Sequence, residues 1–159
     1  MEETIGTGKN IEEAIENGLR SLGAERDEVE VEPLDTGRRG FLGLFGRRNA
    51  RVRVLIRQDD RIRVRVLMRN ILRHLGVETT PDVQEDDGEI LVSLGNEASV
   101  LVGQHGQTLD SLQYLASRII NNDREKWKKI VIDVNNYRDK REENLHSLSE
   151  QLANQAIAE

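Results

Sequence analysis

Gly103-Gln104-His105-Gly106 stands between Val100-Leu101-Val102 and a run in which Leu109, Leu112, Leu115, Ala116, Ile119 and Ile120 recur at helical spacing. Two glycines three residues apart break any helix that tries to pass through them. The region therefore has to fold as two helices meeting at a loop: a short one from Asn96 or Glu97 to Val102, and a long amphipathic one after Gly106. The residues on either side fix the rest of the order. Arg61 to Val66 alternates like a strand, yet Val64, Leu67, Met68, Ile71, Leu72 and Leu75 fall on one helical stripe while Arg61, Arg65, Arg69 and Arg73 repeat every four residues. That spacing predicts a helix, closed by Gly76. Residues 81–86 and 89–94 read as strands joined at Asp87-Gly88, a strong hairpin signal. Ile130 to Val134 reads as a buried strand, so the order from 61 to 135 is α-β-β-α-α-β.

Upstream, Thr4 to Thr7 and the alternating Val29-Glu30-Val31 are strand candidates. Between them Asn10 and Glu13 have capping-box spacing ahead of Ile11, Ala14, Ile15, Leu19 and Leu22, with Gly23 as a stop. Arg51 to Ile56 alternates again, placing Val52, Val54 and Ile56 on one face. Residues 1–58 are thus expected to form a small β-α-β-β domain. Within it lies Gly37-Arg38-Arg39-Gly40-Phe41-Leu42-Gly43-Leu44-Phe45-Gly46-Arg47-Arg48, with glycine at every third position. The run is too short and too poor in proline for collagen. Its glycines permit tight turns, and its Phe and Leu side chains dock either on their own domain or on a partner. Arg38, Arg39, Phe41, Phe45, Arg47 and Arg48 are therefore candidate contacts for a partner or polyanion.

The charges are segregated. Residues 37–73 carry 12 basic and 2 acidic side chains, whereas residues 74–99 carry 7 acidic and no basic ones, within a net charge of −6. A mildly acidic total does not exclude a polyanionic partner, because screening over about 8 Å makes the local patch decisive. The arginine belt is either such a patch or a surface that offsets its acidic neighbours. The 159 residues contain no Cys, which rules out a disulfide framework and a thiol nucleophile. With no apolar run approaching the roughly 18 residues of a membrane span, and acidic residues at the start, the chain is expected to be soluble and cytoplasmic. His-Glu-x-x-His, Gly-x-Ser-x-Gly and Gly-Lys-Ser/Thr are all missing, so no catalytic residue, metal site or cofactor is expected. The acidic cluster Glu85, Asp86, Asp87 and Glu89 reads as a solvated hairpin, and Trp127 and Tyr137 as core or junction residues.

A Gly-x-x-Gly loop ahead of a helix can bring backbone amides close to a phosphate chain. The spacing alone is weak evidence, since Gly37, Gly40, Gly43 and Gly46 share it. Only Gly103 to Gly106 sits between two helices in the α-β-β-α-α-β order. The segment resembles a type II KH domain, in which such a loop clamps about four nucleotides of backbone beside an aliphatic groove. The resemblance extends further. Gly40 to Gly46 is similar to the glycine-aromatic signature of the Jag family, also called KhpB or EloR. Val102 to Leu115 resembles that family's KH signature, and Tyr137-Arg138-x-x-Arg141 with Leu145 resembles the opening of its third domain.

The resemblance implies an α+β chain: a Jag N-terminal domain over 1–58, a type II KH domain over 61–135, and at 136–159 the first helix of a truncated or absent third domain. It implies a non-catalytic single-stranded RNA-binding protein with RNA-binding residues Val102, Gly103, Gln104, His105, Gly106 and Gln107. It also implies a role in bacterial cell elongation and envelope homeostasis, a small single-KH protein as partner, and association with membrane-linked envelope machinery. The alternative is an interaction scaffold whose KH fold mainly dimerises. Two features depart from the family pattern. The family commonly carries basic residues in the KH loop, and this loop has Gln104 and His105. The Arg-x-x-x-His motif of the third domain is missing. The stripe Leu145, Leu148, Leu152 and Ala156 is left uncovered and is expected to fray or to self-associate into an oligomer.

Overall fold

Asn10 turns the chain into α1 (Ile11–Leu22) by accepting a 2.8 Å hydrogen bond from the Glu13 N–H. Glu13 reaches back one residue further than a capping box requires, accepting from the Lys9 N–H at 2.8 Å. Gly23, at φ 64°, ends the helix, and the Ala24 N–H closes on the Leu19 carbonyl. The computed structural model describes residues 2–36, 49–122 and 124–158. The expected contacts Arg38, Arg39, Phe41, Phe45, Arg47 and Arg48 lie outside the described residues.

The chain divides into two compact units, residues 1–71 and 72–159. In the first, β1 (Glu3–Gly8), β2 (Val29–Asp35) and β3 (Ala50–Ile56) form an antiparallel sheet in the order β1-β3-β2. Alternation on β3 buries Ala50, Val52, Val54 and Ile56 and leaves Arg51 and Arg53 outside. α1 lies against this face with glycines at the contact. A Cβ on Gly18 would stand 2.5 Å from Val54, so only hydrogen fits there.

Residues 61–75 resolve as helix α2 (Asp60–His74), capped by Asp59, whose carboxylate accepts from the Arg61 and Ile62 N–H groups at 2.9 and 3.4 Å. The expected stripe needs correction. Its last member, Leu75, is exposed, whereas Val66, off the stripe, is buried against the first sheet's core with Ile62 half-buried there. α2 thus buries a second face. That face carries Asn70, which donates to the Leu22 carbonyl at 2.8 Å, and Arg69, whose guanidinium forks onto Glu28 at 2.7 and 2.9 Å.

In the second unit, β4 (Asp82–Asp86) and β5 (Glu89–Leu94) form the hairpin, with Asp87 and Gly88 at φ 45° and 79° as a two-residue left-handed turn demands. β6 (Ile130–Val134) runs parallel to β5, giving the order β4-β5-β6. A parallel neighbour needs a crossover. It is supplied by a 3-10 segment at Asn96–Leu101, where an α-helix is expected, then by the loop and α3 (Gln107–Asn121). α3 buries Leu109, Leu112, Ala116 and Ile120, but Leu115 and Ile119 of the expected stripe are exposed beside Tyr114. Trp127 is exposed as well, against the expected core or junction role. Buried Asn121 staples the α3–β6 connection, donating to the Lys128 carbonyl at 2.9 Å and accepting from the Lys128 N–H at 2.6 Å. Asn135 and Asn136, both left-handed, then turn the chain into α4 (Tyr137–Ala158). No helix among the described residues is long and apolar enough to cross a membrane.

Candidate nucleic-acid interface

Three of the four loop residues hold left-handed backbone: Gly103 at φ 68°, His105 at φ 55° and Gly106 at φ 85°. Gly103 combines that φ with ψ −166°, a region essentially closed to residues with a Cβ. An added Cβ there would also meet Thr108 Oγ1 at 2.0 Å. A Gly103 substitution would therefore distort the loop as well as alter its surface, so Gln104 and His105 are the cleaner probes of binding. His105 adopts its conformation without being a glycine, a strain of about 1 to 2 kcal/mol that concentrates at functional loops. Gly103, Gln104, His105 and Gln107 are exposed, Val102 is half-buried and Gly106 is buried.

Gly106 is covered by α4. Tyr137 stands so close that a Cβ at position 106 would lie 3.0 Å from its ring. Arg138 fixes the start of α4 to the neighbouring elements: it donates to Asp110 at 2.9 Å, to Gln113 Oε1 at 3.2 Å and to the Ile132 carbonyl at 3.3 Å. Gln113 also accepts from the Ile132 N–H at 3.0 Å, satisfying a donor of edge strand β6. One turn further along, Arg141 Nη1 lies 3.4 Å from His105 Nδ1. Between loop and helix runs a groove of about 530 Å³, walled by His105 and Leu109 on one side and by Tyr137, Arg141 and Leu145 on the other. Tyr137, Arg138 and Arg141, which in sequence resemble the opening of a further domain, stand beside the loop and α3. Their signal is the Tyr-Arg-x-x-Arg run itself, whose i, i+4 spacing sets Tyr137 and Arg141 on one face.

Among the described residues of the belt, Arg53, Arg61, Arg63, Arg65 and Arg69 face carboxylates, Arg65 lying 4.0 Å from Glu28. Arg53 pairs with Glu32 at 3.3 Å, Arg61 with Asp59 at 3.0 Å, Arg63 with Glu2, and Arg69 with Glu25 at 3.3 Å as well as with Glu28. The acidic hairpin is likewise partly paired, Glu85 with Lys128 and Glu89 with Lys129. Among the described residues, no cluster of side chains could hold a metal ion.

Residues 7–56 match the family described as the Jag N-terminus, and residues 61–132 match the KhpA/KhpB KH domain. The chain is 32% identical over 158 residues to the RNA-binding protein KhpB of Bacillus subtilis (strain 168), an alignment covering 99% of this chain and 76% of that protein. The chain belongs to the KhpB family. The RNA-binding protein KhpB of Clostridium symbiosum is 30% identical over 156 residues, with 96% of this chain and 70% of that protein covered. Within the KhpB family match, the KH region contains both the Gly-x-x-Gly loop and α3. The groove wall formed by α4 lies beyond residue 132, where that match ends.

Proposed function

We propose that this chain is a non-catalytic, cytoplasmic single-stranded RNA-binding protein. The backbone between Gly103 and Gly106 approaches the sugar-phosphate chain, and Gln104 and His105 contact it, with Val102 and Gln107 flanking. Residues 1–58, 61–135 and 136–159 are its working segments. The observation that carries this reading is the loop, which presents three left-handed residues in four, exposed at Gly103 and His105 and set directly before a 15-residue helix. The names of the two relatives, both RNA-binding proteins, support it. Within this reading the chain regulates cell elongation and envelope homeostasis, together with a small single-KH protein.

The rival reading, an interaction scaffold, draws on Tyr114, Leu115 and Ile119, which leave an apolar patch exposed on α3. Titrating salt against binding of a fluorescent single-stranded RNA separates the two. Phosphate contacts give saturable binding whose log affinity falls with log salt by about 0.7 per contact, and Gln104→Asp with His105→Asp weakens it. Absence of saturable binding at low salt would leave the scaffold.

A further inference from the structure

We propose that Arg141, on α4, supplies the phosphate-binding cation that the Gly-x-x-Gly loop itself lacks, so that the RNA-contacting surface is a composite of the loop and the C-terminal helix. This rests on the RNA-binding reading of the loop and assigns that site a residue from outside the KH match.

The chain carries no Lys or Arg from residue 74 through the loop. A loop of Gln and His can approach a phosphate and donate hydrogen bonds to it, but it offers no permanent positive charge. Arg141 is held where that charge is missing. Tyr137 packs over Gly106, and Arg138 ties the first turn of α4 to Asp110, Gln113 and the Ile132 carbonyl. Arg141, four residues after Tyr137, is therefore held beside the loop, with Nη1 3.4 Å from His105 Nδ1.

The two arginines differ in what already occupies them. Arg138 is ion-paired with Asp110. Arg141 makes no ion pair among the described residues, and its contact with His105 is long for a hydrogen bond. A guanidinium has five N–H donors, so most of Arg141's remain for a phosphate, which is also a far better acceptor than an imidazole nitrogen. With Nδ1 accepting from Arg141, a neutral His105 ring carries its proton on Nε2 and has a donor of its own to add. His105 thus combines a left-handed backbone with a side chain that lies 3.4 Å from Arg141.

Salt titrations of single-stranded RNA binding by the full chain and three variants test this. Arg141→Gln is expected to weaken binding about tenfold at low salt and to make the slope of log affinity against log salt shallower by about 0.7, the share of one phosphate contact on a single strand. Arg141→Lys should keep the slope, because it keeps the charge. Lys140→Gln removes a charge from the adjacent residue, whose amine bonds the Asn135 carbonyl at 2.8 Å, and should leave the slope as it is. An unchanged slope for Arg141→Gln, with wild-type binding intact, overturns the assignment and leaves the loop as the site. A loss of affinity at unchanged slope accompanied by a lower melting temperature makes Arg141 a packing residue and also overturns it. Absence of saturable binding by the unaltered chain sinks the RNA reading and this one with it.

Discussion

Glu28 is 2% exposed, and a carboxylate so placed has to be held by cations and hydrogen bonds or it will not stay ionised. Burial alone would push its pKa up. The hydrogen bonds from Arg69 and from the Glu25 N–H, with the charges of Arg69 and Arg65, outweigh burial and hold it below the ordinary value of 4.5. Arg69 answers with a raised pKa, chiefly through its hydrogen bonds to Glu28. Removing one partner of a buried pair strands the other, so Glu28→Gln should cost about 3 kcal/mol in denaturant unfolding of the full chain. The sign of the pH dependence follows from the depressed pKa. The stabilisation by Glu28 is complete above 4.5, the unfolded value, and is lost as pH falls through the lower folded value. The stability gap between the natural chain and Glu28→Gln should therefore be widest near neutrality and close below pH 4.5. A gap that stays constant down to the acid transition would mean the pair is not what Glu28 contributes. Nothing in the sequence distinguishes Glu28 from its ten acidic neighbours in residues 1–36, because its burial depends on a helix some 40 residues away.

At the scale of elements, local signals were legible wherever local chemistry decides. The Asn10 cap, the Gly23 stop, the Asp87-Gly88 turn and the break at Gly103 all depend on backbone preferences a few residues long. Periodicity did less well where coverage decides, because it marks a face as apolar without saying what packs on it. α2 buries Val66 through a neighbour that a single stripe does not reveal, and α3 leaves Leu115 and Ile119 exposed although they belong to its stripe. α4 is the extreme case. Tyr137, Arg138 and Arg141 attach its start, whereas Leu145, Leu148 and Leu152 are 51%, 51% and 56% exposed. A helix with no packing on its distal half is marginal in water. Hydrogen exchange on the dilute monomer should show protected amides through about Leu145 and near-unprotected ones beyond Glu150. Strong protection at Leu152 in a proven monomer would mean that the stripe is covered within the chain.

At the scale of the molecule, the segregation of charge along the sequence is partly undone in space among the described residues. The acidic first segment and the arginine belt meet as partners: Glu2 with Arg63, Glu25 and Glu28 with Arg69, and Glu32 with Arg53. A cation already neutralised by a carboxylate displaces few of the counterions condensed on RNA, so it contributes little to the salt dependence of binding. The paired arginines of the belt therefore read as internal compensation within residues 1–71, whereas Arg141, the cation proposed for RNA, has no carboxylate partner among the described residues. Replacing Arg53 and Arg61 together with Gln should change RNA affinity less than about twofold and leave the salt slope unaltered, since exposed pairs also contribute little to stability. The glycine-rich run poses the same question for four further arginines. Changing Arg38, Arg39, Arg47 and Arg48 to Ser should reduce specific RNA affinity less than Gln104→Asp with His105→Asp, because the Gly103 to Gly106 loop is set between helical segments with Arg141 beside it. Binding curves for the two multiple variants, measured at one salt concentration on the same RNA, decide between them. A larger loss in the arginine variant would move the principal site to the N-terminal unit and leave the Gly103 to Gly106 loop a secondary contact.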